Sequence, residues 1–148
     1  MKKHSKIFLA LLFSVTAVTG FAQMTDKRQR LYSSLPESID IDKNIFINVL
    51  DEPVGKEVSL LLSTGFIFKG TVLSNFTKYN TIHTVMVRSA ENPESIFQVT
   101  VIQSENNISY TGRIINKNAA DGYEIKNNNG AYSLRKFESL NILDPCKL

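Results

Sequence analysis

Apolar and polar residues alternate along most of the chain after Pro36, which is the pattern of β-strands with one buried face. Turn-forming Asp, Asn, Gly and Pro residues separate the alternating segments. The segments are SIDI, NIFINVL, EVSLLL, GFIFKGTVLSNF, TIHTVMVRS, SIFQVTVIQ, ISYTGRIINK, GYEIKN, AYSLRKF and SLNIL. Because no helical pattern intervenes, the sequence predicts an all-β fold, a small antiparallel barrel or sandwich of about seven to ten short strands.

Two turn sequences give the strongest hairpin signals. They are Asp121-Gly122 and the run Asn127-Asn128-Asn129-Gly130. Asp-Gly and Asn-Gly tolerate the positive φ angles that tight hairpin turns require. We therefore expect a hairpin at each of them.

The alternation also assigns faces to the long strand that begins near Phe66. Successive side chains of a strand point to opposite faces, so residues two apart share a face. The set predicted to face the core comprises Phe66, Phe68, Gly70, Val72 and Phe76. The set predicted to face outward comprises Lys69, Thr71 and Asn75.

The residues before the strands follow a different period. Leu31, Tyr32 and Leu35 have helical spacing, Thr25 or Asp26 is a suitable cap, and Pro36 would end the helix. The sequence predicts a short N-terminal helix within residues 23–36, followed by a single β domain over residues 37–148.

The first 22 residues have the composition of a cleavable secretory signal peptide. Lys2, Lys3 and Lys6 precede an uncharged run from residue 7 to residue 18, which is too short to span a bilayer as a helix of about 20 residues. Small residues then precede Gln23, where we expect cleavage. The prediction is a secreted or periplasmic protein without stable membrane insertion after cleavage.

The charge balance argues against nucleic acid as a partner. The signal segment carries three of the 17 basic residues and none of the 14 acidic ones, so the mature chain is formally neutral. Gly65, Gly70, Val72 and Asn80 have the spacing of the first motif of Sm-type RNA-binding barrels, and the stretch resembles that motif. Phe76, however, stands where the Sm family has an acidic residue, and a neutral chain lacks the basic excess that supplies affinity for phosphates.

Two stretches of the chain match each other at an offset of 42 residues. Phe68 falls on Tyr110, Gly70 on Gly112 and Val72 on Ile114, and the apolar phase agrees. The match indicates either two hairpin-based repeats or the chance similarity of two amphipathic hairpins. A glycine within a strand marks a bulge, a bend or a close backbone approach, so we expect Gly70 and Gly112 to occupy such positions.

No catalytic, cofactor-binding or metal-binding residues are predicted. His83 is the only histidine after signal removal and has no ligand-type neighbour at metal spacing, so we expect a half-buried side chain with a hydrogen bond. The acidic residues lie mostly in turns, which favours a solvated rim over a glycosidase pair. Cys146 is the only cysteine, so an internal disulfide is excluded and an unpaired thiol or a link to another chain is left open.

A contact surface is the function that the sequence favours. The aromatic and amide residues less securely assigned to the core are Tyr79, Tyr123, Asn128, Asn129 and Phe137. Such side chains suit an adaptable surface for a protein or a glycan. We therefore expect a non-catalytic binding or interaction module without a cofactor. The alternatives are an inhibitor or accessory subunit of an exported enzyme or envelope complex and, less favoured, a glycan-active enzyme.

Overall fold

The computed structural model describes residues 28–105 and 107–138. Their elements are β1 Ser38–Ile41, α1 Lys43–Leu50, β2 Glu57–Ser63, β3 Phe66–Lys78, β4 Ile82–Ser89, β5 Ser95–Ser104, β6 Asn107–Asn116, β7 Asp121–Asn128 and β8 Ala131–Glu138. The eight strands form one antiparallel, curled half-barrel sheet in the order β1-β8-β7-β6-β5-β4-β3-β2. The predicted all-β antiparallel fold is confirmed, with a single curled sheet in place of the two layers of a sandwich. The predicted signal segment, the strand predicted at SLNIL and Cys146 lie outside the described residues.

Short turns connect consecutive strands from β2 to β8, so each pairs with its neighbours in the chain. The turn between β7 and β8 has positive φ at Asn129 (54°) and Gly130 (93°), as the sequence predicts. Asp121-Gly122, in contrast, begins β7 and makes no turn. The physical reason is that the carboxylate of Asp121 is engaged elsewhere, accepting the backbone N–H groups of Leu31 (2.8 Å) and Tyr32 (3.0 Å).

The segment NIFINVL is a helix, and its prediction as a strand is wrong. Asp42 caps α1 by accepting the backbone N–H of Asn44 at 2.9 Å. Phe46, Val49 and Leu50, spaced at i, i+3 and i+4, are the buried residues of the helix. Ile45, Ile47 and Val49 form an alternating pattern within the same seven positions, so periodicity over so short a segment does not separate the two structures.

The N-terminal strap, residues 28–36, crosses the opposite end of the sheet from α1 and is not helical where it is described. Besides the two N–H groups held by Asp121, the carbonyl oxygen of Gln29 accepts the N–H of Ala120 at 3.0 Å. The Nζ of Lys136 donates to the carbonyl of Leu35 at 2.6 Å. Because other elements use these main-chain groups, they are not available to the helical ladder predicted for this segment.

Aromatic side chains from the sheet, the helix and the strap fill the interior. Phe46 of α1 packs edge-on against Tyr132 of β8 with ring centroids 5.6 Å apart. Phe68 and Phe97 meet at 5.6 Å, and Tyr32 of the strap meets Tyr123 at the same distance. The helix and the strap therefore complete a core that the sheet alone would leave open.

A bulge in β3 reverses the face of its second half. The pairing of β3 with β4 shifts between Val72 and Ser74. A bulge adds one residue, and the residues after it change sides. Asn75 consequently points to the interior, whereas Phe76 lies on the outer face and is 48% exposed. The predicted placement of these two side chains is therefore wrong, although Phe68 and Val72 are buried as expected.

The two glycines singled out by the sequence match mark close backbone approaches. A Cβ added to Gly70 would overlap the carbonyl oxygen of Arg88 on β4, and one added to Gly112 would overlap that of Gln98 on β5. Only glycine allows the neighbouring strand to come so near in a tightly curled sheet. The duplication itself stays a prediction.

Candidate binding surface

The residues predicted to form a contact surface do not come together. Tyr79 is 76% exposed in the turn between β3 and β4, with φ at 55°. Asn128 and Asn129 are exposed in the turn between β7 and β8, four strands away in the sheet. Phe137 is half-buried near the other end of β8. Of the five, only Asn128 and Asn129 are neighbours.

Tyr123 belongs to the core, which corrects its prediction as a contact residue. Its side chain is fully buried, and its O–H donates to the carbonyl oxygen of Pro36 at the end of the strap. Burial, with smaller contributions from Glu37, Asp121 and Tyr32, raises the pKa of Tyr123 to about 12. Tyr123 therefore fastens the strap to the sheet and stays protonated at physiological pH.

His83 and Asn75 form a hydrogen-bonded pair that secures the end of α1. The amide nitrogen of Asn75 donates to the carbonyls of Leu50 (2.9 Å) and Glu52 (2.8 Å). Its oxygen is thus free to accept, and the Nε2–H of His83 donates to it at 2.5 Å. The predicted half-buried, hydrogen-bonded histidine is confirmed, and Asn75 satisfies backbone groups at the end of the helix.

A second buried polar network lies beneath the loop between β4 and β5. The side-chain nitrogen of Asn116 donates to Ser95 Oγ (2.9 Å) and to Asn92 Oδ1 (3.0 Å), and the backbone N–H of Asn92 donates to Ser89 Oγ (3.1 Å). Ser95 also lies 3.4 Å from the hydroxyl of Tyr32, whose pKa burial raises. Because these groups satisfy one another, the network fixes the loop.

Within residues 28–105 and 107–138, no three His, Cys, Asp or Glu side chains lie close enough together to hold a metal ion. In the same ranges, no helix has the length and apolar character needed to cross a bilayer.

Grooves at the surface differ in what lines them. A groove between the strap and β3 has a volume of about 260 Å³, and Tyr32, Phe66 and Phe68 lie in its wall. This volume is below the roughly 300 Å³ typical of a small-ligand pocket. Openings of about 400 and 550 Å³ lie at the sheet edges and are lined mainly by polar or small residues such as Ser59, Thr71 and Asp40. The aromatic residues of the molecule are therefore used in the core more than around a cavity.

The outer side of β3–β6 is the most unusual surface of the described chain. We call it the cationic face and define it as the outward-pointing side chains of these four strands. Register places its members in rows across the strands. The rows are Thr71, Arg88, Ile96 and Ile115, then Ser74, Met86, Gln98 and Arg113, then Phe76, Thr84, Thr100 and Thr111, then Lys78, Ile82, Ile102 and Ser109. Ile67 and Lys69 extend β3 beyond the first row.

Several apolar side chains on the cationic face are exposed to solvent. Ile67 is 44% exposed, Phe76 48%, Ile102 42% and Ile115 44%, and Leu61 of the adjoining β2 lies opposite Ile67 with 58% exposed. Single exposed aliphatic residues are ordinary. In the register, Phe76 and Ile102 lie two strands and one row apart, and Ile115 lies on the strand farthest from Ile67, so the apolar side chains are distributed among the polar residues of the face.

The charges on the cationic face have one sign. Lys69, Lys78, Arg88 and Arg113 are exposed there, and β3–β6 contain no Asp or Glu. Among the described residues none of the four has an ion-pair partner, although the Lys78 ammonium lies over the Tyr79 ring at 4.8 Å. The acidic residues of the described ranges lie in turns and connecting segments and in β1, β2, β7 and β8.

The outer side of β7 and β8 has the opposite character. Lys126 and Glu124 form an ion pair at 2.7 Å, and Arg135 lies opposite Glu124 in the register. Charges of both signs therefore alternate across these strands. This surface, which we call the mixed-charge face, needs no partner to balance it.

Sequence reasoning missed the cationic face because it summed charge over the whole mature chain. The signal was present, since Lys69 is assigned to the outward phase and the four strand segments contain no acidic residue. What the alternation alone does not provide is the order of strands that brings these cations onto one face.

Family models, curated proteins and solved structures were compared with the chain, and none matches it.

Proposed function

We propose that this chain is a non-catalytic interaction module that binds a protein partner through the cationic face. The observation that carries the proposal is the coincidence, on β3–β6, of exposed apolar side chains with four cations that lack ion-pair partners among the described residues. Buried polar groups of the interior, in contrast, are largely satisfied by one another. A surface that leaves both kinds of group uncovered is suited to a partner that covers them.

The size of the face is consistent with a protein interface. Neighbouring strands lie about 4.8 Å apart, and outward-pointing residues of one strand are about 6.8 Å apart. The Cα atoms of the four rows therefore cover an area of about 15 by 20 Å, and the side chains extend it to about 25 by 30 Å. A standard interface covers about 800 Å² on each partner. The face is therefore of the right scale without contributions from other strands.

We propose, in addition, that the chain is exported and that residues 1–22 are removed. The support is the basic start, the apolar run and the small residues before Gln23. Mass spectrometry of the protein purified from the cells that make it would give the mature N-terminus. A chain that begins at Met1 in the mature protein would contradict the proposal.

Site-specific photo-crosslinking tests the binding surface directly. A photoreactive amino acid would replace Thr111, which is exposed in the cationic face, and in a matched variant Lys126 on the mixed-charge face. We expect a discrete adduct from a cell extract with the first variant and none with the second. Equal adducts from both positions, or an adduct only at Lys126, would refute the proposed surface.

A further inference from the structure

We infer that the partner surface that contacts the cationic face is an acidic polypeptide, an inference that rests on the proposed function. Two carboxylates border the face, since Glu124 of β7 lies opposite Arg113 in the register and Glu57 of β2 is diagonal to Lys69. Neither forms an ion pair with these cations, and β3–β6 contain no carboxylate, so electrostatic complementarity favours negative charge from the partner. The exposed apolar residues between the cations require apolar side chains beside that charge. An acidic and partly apolar protein surface supplies both.

The spacing of the cations favours an extended acidic surface over a single small anion. Lys69 and Arg88 are diagonal neighbours across β3 and β4, with Cα atoms about 7 Å apart by sheet geometry. Arg88 and Arg113 are separated by two strands and one row, or about 12 Å. Cations so far apart do not converge on one phosphate, but they match carboxylates distributed along strands or a helix of a partner.

The polar residues within the face disfavour a lipid bilayer. Gln98 and Thr111 lie between the apolar residues, and neither side chain has a hydrogen-bond partner within the described residues. Transfer of an unpaired amide or hydroxyl into hydrocarbon is unfavourable, because its hydrogen bonds to water are lost and not replaced. A protein partner can instead pair these groups.

Two other occupants are disfavoured by the same surface. A second copy placed face to face would oppose cations with cations, which is repulsive. Single-stranded nucleic acid is bound by aromatic platforms distributed along a basic groove, whereas Phe76 and Tyr79 lie together at one end of the cationic face.

The test compares defined probes on the mature chain, residues 23–148. The probes are a fluorescent peptide rich in Glu and Leu, the same peptide with Gln for Glu, phosphatidylglycerol vesicles and oligothymidine. We expect saturable binding of the acidic peptide, with amide NMR shifts concentrated on β3–β6, and markedly weaker binding of the other three probes. Tighter binding of vesicles or oligothymidine, or formation of a homodimer by sedimentation, would overturn the inference.

Matched charge reversals make the test specific. The double variant Arg88→Glu and Arg113→Glu should weaken binding of the acidic peptide by about tenfold or more, because two attractive charges are replaced by two repulsive ones. The control variant Lys126→Glu and Arg135→Glu changes the net charge by the same amount, but on the mixed-charge face. It should weaken binding of the acidic peptide by less than about threefold. Thermal unfolding would verify that both variants are folded. Equal loss in the two variants would indicate attraction by net charge alone and overturn the inference.

The outcome also separates the inference from the proposed function. A crosslinked adduct at Thr111 together with no preference for the acidic peptide would overturn only the acidic character of the partner. Peptide shifts confined to the mixed-charge face would overturn both.

Discussion

The inner and outer sides of β3–β6 belong to the same strands, and they differ in whether other parts of the chain cover their apolar residues and pair with their polar groups. On the inner side, α1, the strap and neighbouring strands cover the apolar residues, and groups such as Asn75 and His83 bind each other. On the outer side, aliphatic residues are exposed and cations lack ion pairs among the described residues. We therefore expect the inner side to determine the free energy of unfolding and propose that the outer side serves for binding. Substitutions on the two sides should accordingly affect different measurements.

The largest effect is expected from Gly112→Val on the inner side. The added side chain would overlap the carbonyl of Gln98 and force β5 and β6 apart, so the free energy of unfolding should fall by at least about 2 kcal/mol. Chemical denaturation would measure it. Gly65→Val is the matched control, because a Cβ there meets no atom within 4 Å and φ is not in the left-handed region. Similar stabilities of the two variants would contradict the close approach.

Asn75→Ala should lower the free energy of unfolding by about 2 kcal/mol, since buried carbonyls at the end of α1 lose their donor. Hydrogen exchange of the amides in α1 should accelerate as well. Asn128→Ala, in the exposed turn, is the control and should change stability little. If α1 kept its protection in the Asn75 variant, the amide would not be what holds the helix.

Tyr123→Phe should lower the free energy of unfolding by about 1 kcal/mol through loss of the hydrogen bond to Pro36.

Ionisation of the same hydroxyl should make the free energy of unfolding depend on pH. The folded state raises the pKa of Tyr123 from 10.0 to about 12, so the unfolded chain releases this proton first. The stability that results is fully present below pH 10 and is lost as pH rises toward 12.

Denaturation curves across this pH range should therefore fall less steeply for Tyr123→Phe than for the wild-type chain. Asn128→Ala, which removes no ionisable group, should leave the slope unchanged. A slope that is the same in all three proteins would mean that burial of Tyr123 does not control its ionisation.

The smallest effect on stability is expected from Phe76→Ser on the outer side, within about 0.5 kcal/mol of wild type. A Phe removed from a core would instead cost about 3 to 5 kcal/mol. Chemical denaturation distinguishes the two cases and so tests the phase reversal at the bulge. The yield of the crosslinked adduct at Thr111 should fall in this variant, because the cationic face loses an exposed apolar side chain that would contact the partner.

Much of the fold could be predicted from the sequence, and the reasons are local. Alternation follows from the geometry of a strand, so β2 to β8 appear as apolar and polar residues in turn. The Asn129-Gly130 turn is predicted because few other residues adopt positive φ at low cost. In each case, the information lies within a few consecutive residues.

The candidate site was less predictable. Tyr79 and Tyr123 look alike in the sequence, yet one is exposed in a turn and the other is fully buried against Tyr32 of the strap. Burial depends on what packs against a residue from distant parts of the chain, which a single sequence does not show. The cationic face was hidden for the same reason, since its four cations come from three strands and only their order in the sheet places them together.

The sequence by itself therefore determined the strands, most of their buried faces and the absence of acidic residues from β3–β6. Only the tertiary structure decided that Lys43–Leu50 forms a helix and that the bulge moves Asn75 inward and Phe76 outward. It also decided that the charged residues on the outer side of β3–β6, all of them basic, share one face. The physical reason is the range of the interactions. Strand periodicity is fixed by neighbouring residues, whereas Asn75 faces inward to bind carbonyls 23 and 25 residues earlier in the chain.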